Sequence, residues 1–141
     1  MRTINLIVIH CADTPPSMDI GADEIRQWHI KERGWKDIGY HYVIRRNGIV
    51  EKGRDLDHDG DVDEEVGAHV AGFNSHSIGI CLVGGKPKAN FTVEQWDSLK
   101  KLVKGLSFTY KQVEVVGHCD LDPHKTCPQF DVKSWWANNK G

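Results

Sequence analysis

The sequence has no apolar run long enough to cross a membrane, no C-x-x-C pair, no internal repeat and no low-complexity tract. Its first aliphatic segment, Ile4 to Ile9, covers only six residues behind a single arginine. That is too short for a transmembrane span or for the apolar region of a secretory signal, so the chain is expected to be cytoplasmic as synthesised. Charge of one sign is also lacking: 18 basic and 20 acidic side chains leave a net charge of -2. Nothing then draws the protein as a whole to nucleic acid or to anionic membranes, and neither is expected as a partner. Cysteine is scarce, with only Cys11, Cys81, Cys119 and Cys127. In a reducing compartment such thiols are expected to bind metal or be buried rather than to form disulfides. The missing C-x-x-C argues against a redox or structural zinc module.

What is present suffices for one domain. A chain of 141 residues, 39% hydrophobic and 27% charged, buries a core without cross-links or metal, so a single monomeric domain over 1–141 is expected. Ile4 to Ile9 and Ser77 to Val83 are nearly continuous aliphatic runs, the pattern of strands covered on both faces. Gly39 to Arg46 alternates like a strand, and Asn47-Gly48 before Ile49-Val50-Glu51 is a hairpin signal. Val113 to Val116 reads as a last short strand, and Val66 to Ala71 as a further one carrying His69. Helices are expected over Ala22 to Arg33, stopped by Gly34, and after Thr92, where Gln95 three residues on completes a capping box and Phe91 staples to Trp96. Asp131 can cap a terminal helix bearing Trp135 and Trp136, with Phe130 against Trp135. Interleaved strands and helices with one hairpin imply an α/β fold, a mixed sheet flanked by helices.

The chemistry gathers in Gly117 to Asp131, G-H-C-D-L-D-P-H-K-T-C-P-Q-F-D. Imidazole and thiolate are the ligands zinc favours most, and His118, Cys119, His124 and Cys127 crowd this loop. A matching histidine, His10, ends the first strand. His10, His118 and Cys127 make one His2Cys set, which leaves the fourth tetrahedral position open for water, as in a catalytic site. Cys119 and His124 in place of Cys127 make a competing set. Alternation along extended backbone turns Cys119 away from His118 and Cys11 away from His10, which favours the first set and makes both thiols packing residues.

Taken together, I-V-I-H at residues 7–10, G-Y-H-Y-V-I at 39–44, G-A-H at 67–69, N-S-H-S-I-G-I at 74–80, and G-H-x-D-L followed by K-x-C-P-x-F-D at 117–131 resemble the zinc N-acetylmuramoyl-L-alanine amidases. The likeness is to the branch of phage lysozymes and peptidoglycan-recognition proteins, and it runs the whole chain in order. It implies one zinc ion on His10, His118 and Cys127, with Tyr40 and Lys125 catalytic. The implied activity is hydrolysis of the amide between N-acetylmuramic acid and L-alanine in peptidoglycan. A zinc-bound water can be deprotonated near neutral pH, Lys125 can face the oxyanion, and Tyr40 can orient the water or carry a proton. His69, Asn74, Trp35 and His41 are candidate substrate-binding residues of the groove. The expected setting is a phage or prophage lysis enzyme acting on the cell wall after release. A muropeptide-recycling amidase and a catalytically silent peptidoglycan receptor are the alternatives, although silent relatives typically lack the cysteine that stands here at 127.

Separately, D-L-D-H-D-G-D-V-D at 55–63 places Asp55, Asp57, Asp59 and Asp61 at EF-hand-like positions with Gly60 sixth. The twelfth position is Val66 instead of a bidentate glutamate, so a solvated acidic loop is the expectation ahead of a Ca2+ site.

Overall fold

The computed structural model describes residues 2–140; Met1 and Gly141, the outermost residues of the expected domain, lie outside the described residues. The sheet forms from β1 (Leu6–Cys11), β2 (Tyr42–Ile44), β3 (Val50–Lys52), β4 (Ser77–Leu82) and β5 (Glu114–Gly117), in spatial order β3-β2-β4-β1-β5. β1 runs parallel to both β4 and β5, and β2 parallel to β4; only the β2–β3 hairpin is antiparallel. All residues of β1 and β4 are buried, as continuous aliphatic runs require when both faces are covered.

The covering elements follow from alternation along the strands. Ile7, Ile9 and Cys11 of β1 join Ile78, Ile80 and Leu82 of β4 against Leu99, Val103 and Leu106 of α2 (Val93–Thr109) and Val132 of α4 (Val132–Asn139). On the opposite face Val43, Cys81 and Val83 meet Ala22 and Ile25 of α1 (Ala22–Arg33), while Leu6, Val8 and Val116 meet Val70. His10 has the even-numbered register of Leu6 and Val8 and pairs laterally with Cys81, so the sheet presents its imidazole on the α1 side.

The expected caps form. Gly34 closes α1 in the left-handed region at φ +69°, Thr92 accepts from the Gln95 amide at the start of α2, and Asp131 accepts from Ser134 N–H at 3.3 Å. Phe91 lies edge-on to Trp96, their centroids 5.5 Å apart. Gln95 does more than cap. It is fully buried, its Nε2 donates to Ile44 O (3.1 Å) and Val83 O (2.8 Å), and its Oε1 accepts from Thr92 N–H (3.0 Å) and Arg46 Nη1 (3.1 Å). One amide thus satisfies backbone groups at the ends of β2, β4 and α2.

Three expectations need correction. The alternating 39–46 segment is strand only over Tyr42–Ile44, although His41 N–H still donates to Gly79 O and Arg54 N–H to Tyr40 O. The hairpin closes through a wider turn than the Asn-Gly pair suggests: Gly48 N–H donates to Arg45 O (2.8 Å), Arg45 N–H to Ile49 O (2.9 Å), and only Gly48, at φ +88°, is left-handed. This is a type I turn followed by a left-handed glycine. Val66 to Ala71 is irregular rather than a strand. Its His69 and Val70 amides both donate to the Asn74 side-chain oxygen (2.9 and 3.0 Å), which takes them away from any strand ladder.

Asp63, after the acidic loop, is a clamp. Its carboxylate accepts from Tyr42 Oη (2.6 Å) and Tyr110 Oη (2.7 Å), and its carbonyl accepts from Arg2 Nε (3.0 Å). Among the described residues no helix is long and apolar enough to cross a membrane.

Replacing Gln95 by leucine keeps the volume but leaves Thr92 N–H without its acceptor, while Ile44 O and Val83 O each lose one donor and still accept from Val83 N–H (3.1 Å) and Arg46 Nη1 (3.3 Å). A loss of ~1–3 kcal/mol for the unsatisfied amide is expected, read as a lower urea midpoint at unchanged slope; an unchanged midpoint would contradict this role.

Candidate active site

The parallel arrangement brings the C-terminal ends of β1 and β5 side by side, with one imidazole near the first end and one just past the second. His10 sits near the end of β1 with 1% exposure. His118 is the first residue of a short helix, α3 (His118–Leu121), directly after β5, so helical geometry rather than strand alternation separates it from Cys119. Gly117 N–H donates to Asp120 Oδ2 (2.8 Å), and Cys119 N–H to Cys127 O (2.8 Å), which folds the following loop back on α3. Cys127 is thereby carried to the end of β1, where its Sγ accepts from Cys11 N–H at 3.0 Å.

One donor atom each of His10, His118 and Cys127 lies within 4.8 Å of the others. Tetrahedral zinc with bonds of ~2.0–2.3 Å spaces its ligand atoms by roughly 3.3–3.8 Å, so the trio fits a single ion with slight contraction. The His10 and His118 rings have centroids 4.6 Å apart. Burial holds His10 well below the ordinary imidazole value, reinforced by His69 and His118. Burial and then the Lys125 charge lower His118, against Asp122. Both rings are therefore neutral at pH 7 with a lone pair to offer. Cys119 and His124 are not in the cluster; His124 is exposed on the groove rim.

The trio borders an open groove of about 610 Å³ that also includes Tyr40, Lys125, His69, Asn74 and Trp35. Tyr40 packs at 5.0 Å between ring centroids from His10. Burial, then the Cys81, Cys127 and Cys11 thiols, raise its phenol well above the usual range, so it is a proton-bearing donor at neutral pH. Lys125 lies exposed on the loop, its N–H bonded to Asp122 O (3.1 Å). Trp35 stands edge-on to His29 (4.7 Å) and carries the Arg33 guanidinium over its face at 5.2 Å.

Two expected groove residues have other engagements. His41 is fully buried and does not line the groove: Gly79 N–H donates to its Nδ1 (2.9 Å), and its Nε2 meets Glu65 O (2.7 Å). It ties β2 to β4 because both ring nitrogens are taken by backbone. Asn74 borders the groove, but its oxygen is spent on the His69 and Val70 amides. Conversely, Arg33 and His29 line the groove unforeseen. They lie four residues apart on α1, hence on one helix face, a spacing legible in the sequence.

The acidic loop keeps to itself. Asp55, Asp57 and Asp59 each bring an oxygen within 4.8 Å of the others. Gly60 N–H donates to Asp55 Oδ2 (2.9 Å), and Asp61 N–H to Asp59 Oδ1 (2.9 Å), while Lys52 Nζ donates to Gly60 O (2.8 Å). Contact with Asp59 and then Asp57 raises Glu64 to about 7, the mark of crowded like charges. The loop's own hydrogen bonds account for where these carboxylates sit.

A mixed-sheet α/β fold with a His2Cys donor set beside an open groove is a frame that suits a hydrolase and offers a candidate metal site. The chain belongs to the N-acetylmuramoyl-L-alanine amidase family, whose model matches residues 1–130, and it is a peptidoglycan amidase. It is 48% identical over 139 residues to the endolysin of Klebsiella phage KP32, spanning 95% of this chain and 86% of that protein. It is 46% identical over 144 residues to the endolysin of Escherichia phage T7, spanning 99% and 89%. Among solved structures, the amidase LysCS from Clostridium intestinale superposes with a TM-score of 0.81 at 28% identity, covering 97% of this chain and 84% of that one. A bumblebee PGRP-SA shares the fold at a TM-score of 0.74, with coverage of 98% and 83%.

The buried histidines make stability sensitive to acid. His41 is pushed down to about 4, mainly by burial, against the opposing Glu65 carbonyl. Its folded value lies below the ordinary ~6.5, so this contribution is present above pH ~6.5 and lost as pH falls towards ~4. The denaturant midpoint should drop across that window, and the His41 ring-proton NMR titration should centre near its lower end. A His41 titration near ~6.5 would refute the assignment.

Proposed function

We propose that the chain hydrolyses the bond between the lactyl group of N-acetylmuramic acid and L-alanine with one zinc ion held by His10, His118 and Cys127. The observation that carries this reading is the gathering of those three donors, from two strand ends and a loop, beside an open groove. Two neutral imidazoles and one thiolate are a donor set zinc favours, and three protein ligands leave a position for water or substrate. When bound, zinc supplies Lewis acidity for activating water and polarising the amide carbonyl.

The remaining roles belong to the chain itself. Tyr40 keeps its proton and donates a hydrogen bond to the attacking water or to the developing oxyanion. Lys125, whose charge already reaches His118, stabilises the negative charge on the amide oxygen. Trp35, with Arg33 across its face, gives the groove an apolar wall topped by a cation suited to a sugar-peptide chain bearing carboxylates. Similarity to phage endolysins along nearly the whole chain supports a lytic role on the cell wall after release, ahead of a recycling one.

Purified sacculi incubated with the zinc-loaded protein should yield new L-alanine amino termini by mass spectrometry, and Cys127→Ala should yield none. Release of disaccharide ends instead would overturn the bond assignment. Tyr40→Phe should lower kcat by a factor of ~100 or more with zinc still bound. Lys125→Ala should likewise reduce turnover and retain the metal; loss of zinc from that variant would mean its role was misassigned. Faster cleavage of soluble muropeptides than of sacculi would favour recycling.

A further inference from the structure

His10 offers two ring nitrogens, and one is already committed. Its Nε2 lies 2.9 Å from His69 Nδ1, in a buried contact between rings set edge to face at 85°. His69 is 7% exposed, and its own Nε2 lies 3.1 Å from Ser77 Oγ on β4. A neutral imidazole carries one proton, so it donates through one nitrogen and accepts or ligates through the other. If His10 is to ligate metal while keeping the His69 contact, its bare nitrogen must be Nδ1 and its proton must sit on Nε2. That proton then points at His69 Nδ1, which in turn places the His69 proton on Nε2, facing Ser77. One proton assignment satisfies every contact in the row.

The surroundings hold His69 in this pose. A Cβ at Gly79 would stand 2.6 Å from His69 Cγ, so the ring lies flush on the backbone of β4 where a side chain would displace it. The loop carrying it is pinned by Asn74 Oδ1, which accepts from the His69 and Val70 amides. The Asn74 side chain thus bears on the groove indirectly, through the residue it positions.

We propose that His69 is a positioning residue: its Nδ1 accepts the Nε2 proton of His10 and so fixes the tautomer and ring orientation in which His10 binds the metal through Nδ1. An imidazole does here what a carboxylate or backbone carbonyl does behind many metal-bound histidines. This assigns His69 a different role from contact with substrate, and it rests on the reading of His10 as a zinc ligand.

The test needs no substrate. Zinc affinity of the metal-free full chain is measured by competition with a chromophoric chelator for the wild type, His69→Leu, His69→Asn and Cys127→Ser, with thermal melts of each metal-free protein to check folding. Leucine removes the acceptor, whereas asparagine returns an oxygen on Cγ where Nδ1 stood. The expectation is that H69L binds zinc ~10–100-fold more weakly while H69N stays close to wild type. Equal affinity of H69L and wild type overturns the proposal, as does equal weakening of H69L and H69N, which would make His69 a packing residue. Should H69L fail to fold, long-range 1H–15N NMR of the zinc-loaded wild type decides: His10 protonated on Nε2 supports the assignment, and protonated on Nδ1 refutes it. If C127S too binds zinc like the wild type, the ligand reading fails; if only C127S loses zinc, His69 alone was misread.

Discussion

The burial of imidazoles along one side of the sheet is the constraint from which the rest of this molecule's chemistry follows. His10, His41 and His69 are each at most 7% exposed, and burial depresses the pKa of all three. A buried neutral imidazole needs a partner for its proton and one for its lone pair. The fold meets that need with fixed groups: the Gly79 amide and the Glu65 carbonyl for His41, and His69 and Ser77 in series for His10. On the proposed proton assignment a single lone pair of His10 is left over, and the segment after β5 brings His118 and Cys127 close to that ring.

Those donors arrive from far apart in sequence by ordinary folding forces. Apolar burial on both faces sets β1 between β4 and β5. Two strand ends then stand at one edge of the sheet, where parallel α/β folds build sites. The short α3 helix and the Cys119–Cys127 backbone bond turn the chain so that Cys127 returns to the end of β1. Stability and site construction thus share the same aliphatic runs, and the polar groups act only at their ends.

Much of this was legible in the sequence. The Thr92–Gln95 capping box, the Gly34 stop and the Asp131 cap are local signals that stand where they were expected, and the aliphatic runs form strands, the first displaced from 4–9 to Leu6–Cys11 and the second ending at Leu82 instead of Val83. The strand-end argument selects His10, His118 and Cys127, the set that lies together. Less legible was anything decided by long-range hydrogen bonding. Alternation cannot reveal that Asn74 takes the amides of His69 and Val70, which turns an apparent strand into an irregular loop. Nor can it reveal that backbone claims both nitrogens of His41, which withdraws that ring from the groove. The side-chain chemistry is visible in the string of letters, while its availability depends on neighbours up to 116 positions away, the separation of the Cys11 amide and the Cys127 sulfur it bonds.

The Asp63 clamp has a consequence of a different kind. Tyr42, Tyr110 and Arg2 fasten the far end of the acidic loop, while Asp37 and Arg54 fasten its near end through Asp55 N–H and the Val66 carbonyl. Between these moorings Leu56 to Asp61 lie exposed, and loop-closure entropy grows only slowly with added length. The segment is therefore a natural port for grafting: a peptide or small folded cargo spliced there would enter beyond the fastenings and leave the sheet edge that carries His10 undisturbed.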